Sequence, residues 1–121
     1  MKSLIKYFIV MLLTLVPVLS FATLKPFTNN DCAALEMPKT VLLVHASWCS
    51  HCKAFLPIYE QVSNKEKYRD WIFYQMANDK FDKVCGTTIR AVPVTFKNNM
   101  KNNLVGNKPS AVLEEFLDSN T

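Results

Sequence analysis

The sequence predicts an α/β fold, a three-layer α/β/α sandwich around a central mixed sheet of about four to five strands. Three observations lead to this prediction. Thr40–Ala46 and Trp71–Ala77 are continuous apolar runs, which are typical of strands buried on both faces. Segments with apolar residues at helical spacing alternate with these runs. Near the end of the chain, Asn98-Asn99 marks a tight hairpin turn, so the sheet also contains antiparallel strands.

Residues 1–22 are set apart from this fold by their pattern. A start containing two lysines precedes an apolar run from Tyr7 to Leu19, and Ser20-Phe21-Ala22 places small residues where a cleavage site needs them. This pattern predicts an export signal over residues 1–22, cleaved near Ala22, and one domain over residues 23–121. The alternative is a retained membrane anchor, although Pro17 and the short apolar run favour cleavage.

The composition is that of a small packed domain. The chain has 121 residues, of which 50% are apolar and only 2 are glycine, and its net charge is +4. Two of its 14 basic residues lie in the predicted signal, so 12 basic and 10 acidic residues remain and the net charge falls to about +2. We therefore expect no nucleic-acid partner and, once the signal is removed, no membrane association. We predict a monomer that is periplasmic or secreted.

The first half of the domain shows strand and helix signals in turn. Asn and Asp cap candidates open a short helix over Thr28–Glu36, and the strand over Thr40–Ala46 follows. The next helix begins at Ser50 and contains Pro57, which should kink it. Its apolar residues recur at i, i+3, i+4 and i+7, namely Phe55, Ile58, Tyr59 and Val62.

The second half of the domain adds three strands and two helices. These are a strand over Trp71–Ala77, a short helix over Asp79–Cys85, a strand over Val92–Lys97, an edge strand over Met100–Val105 and a last helix from Lys108-Pro109-Ser110. One more short strand is expected near Leu24–Phe27. Right-handed crossovers place the first and third helices on one face of the sheet and the second and fourth helices on the other.

The residues that carry chemistry lie where a buried strand ends and a helix begins. Cys49 and Cys52 are one helical turn apart there, and a helix N-terminus stabilises thiolate over thiol. Cys49 is predicted to attack a substrate disulfide and Cys52 to resolve the mixed disulfide. His51 lies between them and can stabilise the Cys49 thiolate, which makes the disulfide more oxidising. The alternative for His51 is an exposed loop residue without a role.

The chain resembles the thioredoxin superfamily over essentially the whole predicted domain. The segments that carry the resemblance are Trp48-Cys49-Ser50-His51-Cys52-Lys53, Pro57, Ile89-Arg90-Ala91-Val92-Pro93, Leu104-Val105-Gly106 and Glu114-Glu115-Phe116-Leu117-Asp118. The resemblance implies a thioredoxin fold without a cofactor, in which Pro93 is the cis-proline beside the disulfide. It also implies that Trp48, Val92 and Pro93 contact the substrate. Exported oxidases and isomerases of this superfamily typically carry a histidine before the second cysteine, as His51 does here.

Two positions depart from the family pattern. Thioredoxins keep a buried acid in the strand before the cysteine pair and a lysine in the next strand, and alignment puts Leu43 and Gln75 at these places. The usual aid to deprotonating Cys52 is therefore missing. His45 is close enough in sequence to substitute for it, and the alternative is that His45 is a packed structural residue.

The other two cysteines, Cys32 and Cys85, lie on the predicted inner sides of the first and third helices. Because those helices are expected to share a face of the sheet, a structural disulfide between them is geometrically reasonable. Such a bond suits an exported chain and would stabilise a small domain. Two buried free thiols are the alternative.

The predicted function is therefore thiol–disulfide oxidoreduction on exported proteins, with a separate redox partner recycling the pair. An oxidase or isomerase is favoured by His51, and a reductase by the bare thioredoxin-like domain. A non-catalytic binding module of the same fold is a further alternative. A zinc or copper site at Cys49, His51 and Cys52 is disfavoured because no second cysteine pair completes four ligands.

Overall fold

The computed structural model describes residues 24–120, and the predicted export signal lies outside this range. The strands are β1 (Lys25–Pro26), β2 (Thr40–His45), β3 (Ile72–Ala77), β4 (Val94–Lys97) and β5 (Asn102–Val105), and the α-helices are α1 (Ser50–Ser63) and α2 (Ser110–Asp118). Two 3₁₀ helices cover Asn29–Glu36 and Glu66–Tyr68. No helix in the described range is long and apolar enough to cross a bilayer.

The five strands form one mixed sheet in the order β1-β3-β2-β4-β5. β1 and β2 both pair parallel to β3, whereas β4 pairs antiparallel to β2 and to β5. This sheet confirms the predicted fold class. The central position of β2 explains why its sequence is an unbroken apolar run, since neither face of β2 meets water.

The two faces of the sheet are covered by different layers. Val41 and Leu43 of β2 point to the face on which α1 and α2 pack, and they share one core cluster with Phe55 and Leu113. Leu42 and Val44 point to the opposite face, where they cluster with residues of the first 3₁₀ helix and of the chain before β4, namely Leu35, Val84 and Ile89. The predicted division of segments between the two faces is therefore confirmed.

The prediction of a helix over Asp79–Cys85 is wrong, because this segment forms turns and one isolated bridge between Val84 and Thr87. The side chain of Asn78 accepts from the Asp82 N–H at 2.9 Å and donates to the Asp82 carbonyl oxygen at 2.7 Å. It thereby binds backbone groups that a helix would use itself. Phe81 and Cys85 also have φ of 57° and 48°, values that a right-handed helix excludes.

Smaller differences concern the first helix and the hairpin. Asn29–Glu36 is a 3₁₀ helix, which starts at a capping box formed by Thr28 and Asp31. The turn of the hairpin includes Met100 as well as Asn98 and Asn99, since all three have positive φ. β5 therefore begins at Asn102, later than predicted.

Candidate active site

Cys49 follows the end of the central strand and caps the first helix. It is the N-cap residue of α1, and its Sγ accepts a hydrogen bond from the Cys52 backbone N–H at 3.1 Å. The two Sγ atoms are bonded to each other, and the residues that carry them lie about one helical turn apart in sequence. A sulfur in this place receives both a backbone N–H and the positive end of the helix dipole. Negative charge on Cys49 is therefore stabilised when the disulfide opens.

The disulfide lies in a small apolar recess. Cys49 and Cys52 are 6% and 3% exposed, and they cluster with Ala46 and Val92. The Cys49 Sγ lies 3.7 Å from the carbonyl oxygen of Val92. The exposed fraction is larger for Cys49 than for Cys52, and Cys49 also borders this carbonyl.

Pro93 holds the segment that faces the disulfide. The Val92–Pro93 peptide bond is cis, the form that the family resemblance implies. The Pro93 carbonyl oxygen accepts from the Gly106 N–H at 2.8 Å, which ties this segment to the end of β5. Val92 is thus presented beside Cys49 at the edge of the recess.

His51 lies exposed in the first turn of α1, directly before the buried Cys52. Its effect on the Cys49 thiolate stays a prediction.

His45 and Gln75 form a polar pair on the α1 side of the sheet. Leu43 stands directly opposite Gln75 in the β2–β3 register, and Leu43 is fully buried. His45 Nε2 lies 2.6 Å from Gln75 Oε1, so each side chain has a hydrogen-bonding partner. The two positions at which the family keeps an acid and a lysine are therefore occupied by an apolar group and by an amide paired with histidine.

Asp79 belongs to the site, although the sequence patterns did not indicate it. Its carboxylate accepts from the Ser47 N–H at 2.8 Å and from the Ser47 hydroxyl at 2.5 Å. Its carbonyl oxygen accepts from the indole N–H of Trp48 at 3.0 Å. Asp79 follows β3, and the carboxyl ends of the parallel strands β2 and β3 meet at this edge, which is the signal that could have identified it.

We expect the two hydrogen bonds that the Asp79 carboxylate accepts from Ser47 to depend on pH. The two hydrogen bonds from Ser47 lower the pKa of the Asp79 carboxyl below its ordinary value of 3.8. Because the pKa is depressed in the folded chain, the stabilisation is complete above that ordinary value and is lost as pH falls through the lower folded pKa. The NMR resonance of the Ser47 amide should stay constant from pH 7 to about pH 4 and move below it. Asp79→Ala should shift this resonance at every pH, and an unchanged resonance would contradict the assignment.

A second disulfide lies on the opposite face of the sheet. Cys32 is bonded to Cys85, with the Cα atoms 5.7 Å apart and a sequence separation of 53. Asn29 adds two hydrogen bonds across the same contact, since its side chain donates to the Lys83 carbonyl oxygen and accepts from the Cys85 N–H. All four cysteines of the chain are thus in disulfides. The bond attaches the first 3₁₀ helix to the segment that leads to Pro93.

No group of three or more His, Cys, Asp or Glu side chains in the described part of the chain is arranged to hold a metal ion.

A family model described as Thioredoxin matches residues 23–119 of the chain. A thioredoxin of Aspergillus fumigatus, Asp f 29, is 34% identical over 71 residues, which are 55% of this chain and 64% of that protein. The protein disulfide-isomerase of Drosophila melanogaster is 46% identical over 44 residues, 36% of this chain and 8% of that protein. The chain thus spans less than two thirds of the length of either relative.

The solved structures that resemble the chain have the same fold. A thioredoxin of Malassezia sympodialis superposes with a TM-score of 0.63 at 18% identity, covering 83% of this chain and 93% of that one. At this identity the similarity concerns the fold alone. It agrees with the mixed five-stranded sheet and its covering helices.

Proposed function

This chain belongs to the thioredoxin family, and from that premise we propose that it is a thiol–disulfide oxidoreductase whose redox pair is Cys49 and Cys52. The observation that supports this most directly is the position of Cys49. Its sulfur lies at the N-terminus of α1, bonded to Cys52 and next to the Val92 carbonyl that precedes Pro93. In this proposal the Cys49 sulfur is the one that a substrate thiolate attacks, and the Cys52 sulfur is the one that this attack expels.

The reaction runs through a mixed disulfide. A substrate thiolate attacks the Cys49 sulfur, forms a bond to it and expels Cys52 as a thiolate, which takes up a proton. A second substrate thiolate then attacks the substrate sulfur bound to Cys49 and expels the Cys49 thiolate. The substrate loses two electrons and gains a disulfide, while the pair Cys49–Cys52 becomes a dithiol. A separate redox partner must remove these two electrons to restore the disulfide.

Stabilisation of the expelled Cys49 thiolate favours this oxidising direction. The Cys52 N–H and the helix dipole act on the Cys49 sulfur. In this proposal His51, in the same helical turn, stabilises the thiolate further. A thiolate that is stabilised in this way is a good leaving group, so the protein donates its disulfide readily.

The surroundings of Cys52 lack the groups that aid its deprotonation in thioredoxins. A reductase needs Cys52 to become the attacking thiolate, and thioredoxins use a buried acid and a lysine nearby. Here Leu43 and Gln75 occupy those places, and Cys52 itself is buried. Burial without a charged aid disfavours the Cys52 thiolate, which slows both its attack on a mixed disulfide and its expulsion from Cys49. The similarity of a short stretch to a protein disulfide-isomerase is consistent with the oxidising direction.

The substrates in this proposal are exported proteins with thiols or disulfides. The support comes from the signal pattern over residues 1–22 and from the second disulfide, which suits an oxidising compartment. The site of action is accordingly periplasmic or extracellular, and the working form is a monomer.

The reduction potential of the Cys49–Cys52 pair tests the direction of electron flow. We expect about −120 to −180 mV, the range of proteins that donate disulfides. The protein is equilibrated in glutathione buffers, and peptide mapping by mass spectrometry counts alkylation at Cys49 and Cys52 separately from Cys32 and Cys85. His51→Ala should lower the potential, because it removes a stabiliser of the thiolate. A value near about −270 mV would instead support a thioredoxin-type reductase.

A further inference from the structure

Cys52 has to take up a proton in the proposed reaction, although it is buried. When a substrate thiolate attacks Cys49, the sulfur of Cys52 leaves as a thiolate. Cys52 is only 3% exposed, so water has little access to it, and an unpaired thiolate in an apolar recess is costly. A side chain that lies between this recess and solvent avoids that cost if it delivers a proton as the sulfur leaves.

His45 lies at the level of Cys52, on the face of the sheet that α1 covers. On this face Phe55 of α1 shares a core cluster with Leu43 of β2. Cys52 precedes Phe55 by one helical turn, and His45 follows Leu43 by two positions on the same face of the strand. Because β3 runs parallel to β2, the connecting helix α1 has to run back along the sheet. Both steps therefore lead toward the redox end of the sheet, where His45 faces the first turn of α1.

The hydrogen bond between His45 and Gln75 determines which ring nitrogen can exchange a proton. His45 Nε2 lies 2.6 Å from Gln75 Oε1. An amide oxygen only accepts hydrogen bonds, so Nε2 carries the proton of this bond. Nδ1 is then the ring nitrogen that gains or loses a proton. The His45 side chain is half-buried, so it borders both the protein interior and water.

Asp79 is the charged group that faces His45 from the segment after β3. The pKa of the Asp79 carboxyl is lowered first by its hydrogen bonds from Ser47, and the positive charge of His45 lowers it further. The imidazole is thus near enough to Asp79 for its charge to act on that carboxyl. Since Asp79 also binds the residue that precedes Trp48, this places His45 at the same edge of the sheet as the redox pair.

Thr95 and Tyr59 contribute hydroxyl groups to the same layer, and neither can move a proton between Cys52 and water. Thr95 of β4 stands opposite Leu43, but it is fully buried, and its hydroxyl has no hydrogen-bond partner among residues 24–120. Tyr59 of α1 is also fully buried, and its hydroxyl donates to the Tyr74 carbonyl oxygen at 2.7 Å. A group without contact to water cannot exchange its proton with solvent.

We propose that His45 is the proton-transfer residue for Cys52, with Gln75 as its positioning residue. This inference rests on the proposed function and deepens it. As the substrate sulfur forms its bond to Cys49, the Cys49–Cys52 bond breaks and its electron pair moves to the Cys52 sulfur. The proton on His45 Nδ1 passes to that sulfur, which leaves a Cys52 thiol and a neutral imidazole whose Nε2–H still binds Gln75. When the redox partner restores the disulfide, Cys52 returns the proton to Nδ1.

The test measures how the rate of opening of the Cys49–Cys52 bond depends on pH. The oxidised protein is mixed with dithiothreitol between about pH 5 and about pH 8, where histidine changes its charge. Free thiols at the pair are trapped by alkylation and counted by peptide mapping, and each rate is divided by the concentration of dithiothreitol thiolate. The wild-type rate should be higher at the acidic end, by about tenfold or more, because the imidazole is protonated there. His45→Gln should abolish this rise and match the wild-type protein at the alkaline end.

Two further positions provide matched variants. Gln75→Glu should keep the pH dependence, because a carboxylate accepts from Nε2 as the amide oxygen does. Gln75→Leu leaves the ring without its partner and should lose part of the acidic rise, less than His45→Gln loses. Thr95→Val removes a buried hydroxyl from the same layer and should leave the pH dependence unchanged.

Several outcomes would overturn the proposal. These are a pH dependence that persists in His45→Gln, a loss of it in Thr95→Val, or an equal slowing of His45→Gln at every pH, as a merely structural residue would cause. His51 is the only other histidine of the chain, so a dependence that disappears only in His51→Gln also contradicts the assignment.

A measurement on the wild-type protein keeps the proposal testable even if a variant fails to fold. The NMR signals of the His45 ring should change over the same pH range as the rate of opening, and a change over a different range would overturn the proposal. Failure of dithiothreitol to open the Cys49–Cys52 bond of the wild-type protein at any pH would instead refute the proposed function.

Discussion

Cys49→Ser is expected to abolish disulfide exchange, lowering turnover roughly a thousandfold or more. A serine hydroxyl cannot form the mixed disulfide, so the helix terminus that stabilises the Cys49 thiolate has no sulfur on which to act. Turnover is measured with the reduced protein and glutathione disulfide, by counting the glutathione released. Circular dichroism should show an unchanged fold, because Cys49 caps α1 and serine is a favourable N-cap residue.

Cys52→Ser is the matched comparison, and it should behave differently. Its Cys49 can still be attacked, but no second sulfur is present to release the partner. We therefore expect a stable mixed disulfide at Cys49, visible by mass spectrometry as the added mass of one glutathione. Turnover that survives in Cys49→Ser would contradict the proposed mechanism. A binding module of the same fold would instead retain its partner in both variants.

Removal of the second disulfide is expected to cost a large part of the stability of this domain. The Cys32–Cys85 bond spans 53 positions, and the chain-entropy relation then gives a loss of about 4 kcal/mol in the free energy of unfolding. For a domain of about 100 residues this corresponds to a melting temperature lower by roughly 15 °C or more. Cys32→Ala/Cys85→Ala, measured by calorimetry, should show this decrease.

Asn29→Ala offers a graded control at the same contact. It removes the hydrogen bonds to Lys83 and Cys85 but keeps the covalent bond, so the loss should be smaller, about 1–2 kcal/mol. In the double cysteine variant, hydrogen exchange should accelerate over the segment leading to Pro93. A melting temperature unchanged by the double substitution would show that packing of the 3₁₀ helix alone holds this segment.

The elements that were predicted correctly are those whose signals are local. The apolar run of β2, the helical spacing of Phe55, Tyr59 and Val62, and the Asn98-Asn99 turn each depend on neighbouring residues. The position of Cys49 at the start of α1 is also a local signal, because the spacing of apolar residues changes there from that of a strand to that of a helix. For this reason the amino-acid sequence is enough to locate the cysteine pair at a strand–helix junction.

The segment after β3 shows the opposite case. The spacing of Phe81, Val84 and Cys85 matches a helical face, yet the chain forms turns there. The Asn78 side chain competes for the backbone of Asp82, and the bond from Cys32 holds Cys85 from a distant part of the chain. Local periodicity contains no information about either contact.

Sequence patterns alone were therefore sufficient to predict the fold class, the succession of strands along the chain and the cysteine pair at the start of α1. The spacing of buried apolar residues and the capping of a helix each depend on only a few neighbouring residues. Only the folded chain shows three contacts of the site, namely the hydrogen bond from Ser47 to Asp79, the pairing of His45 with Gln75 and the packing of Phe81 against Trp48. Each joins residues about 30 positions apart, and they meet because β2 and β3 are parallel neighbours whose ends lie at one edge of the sheet.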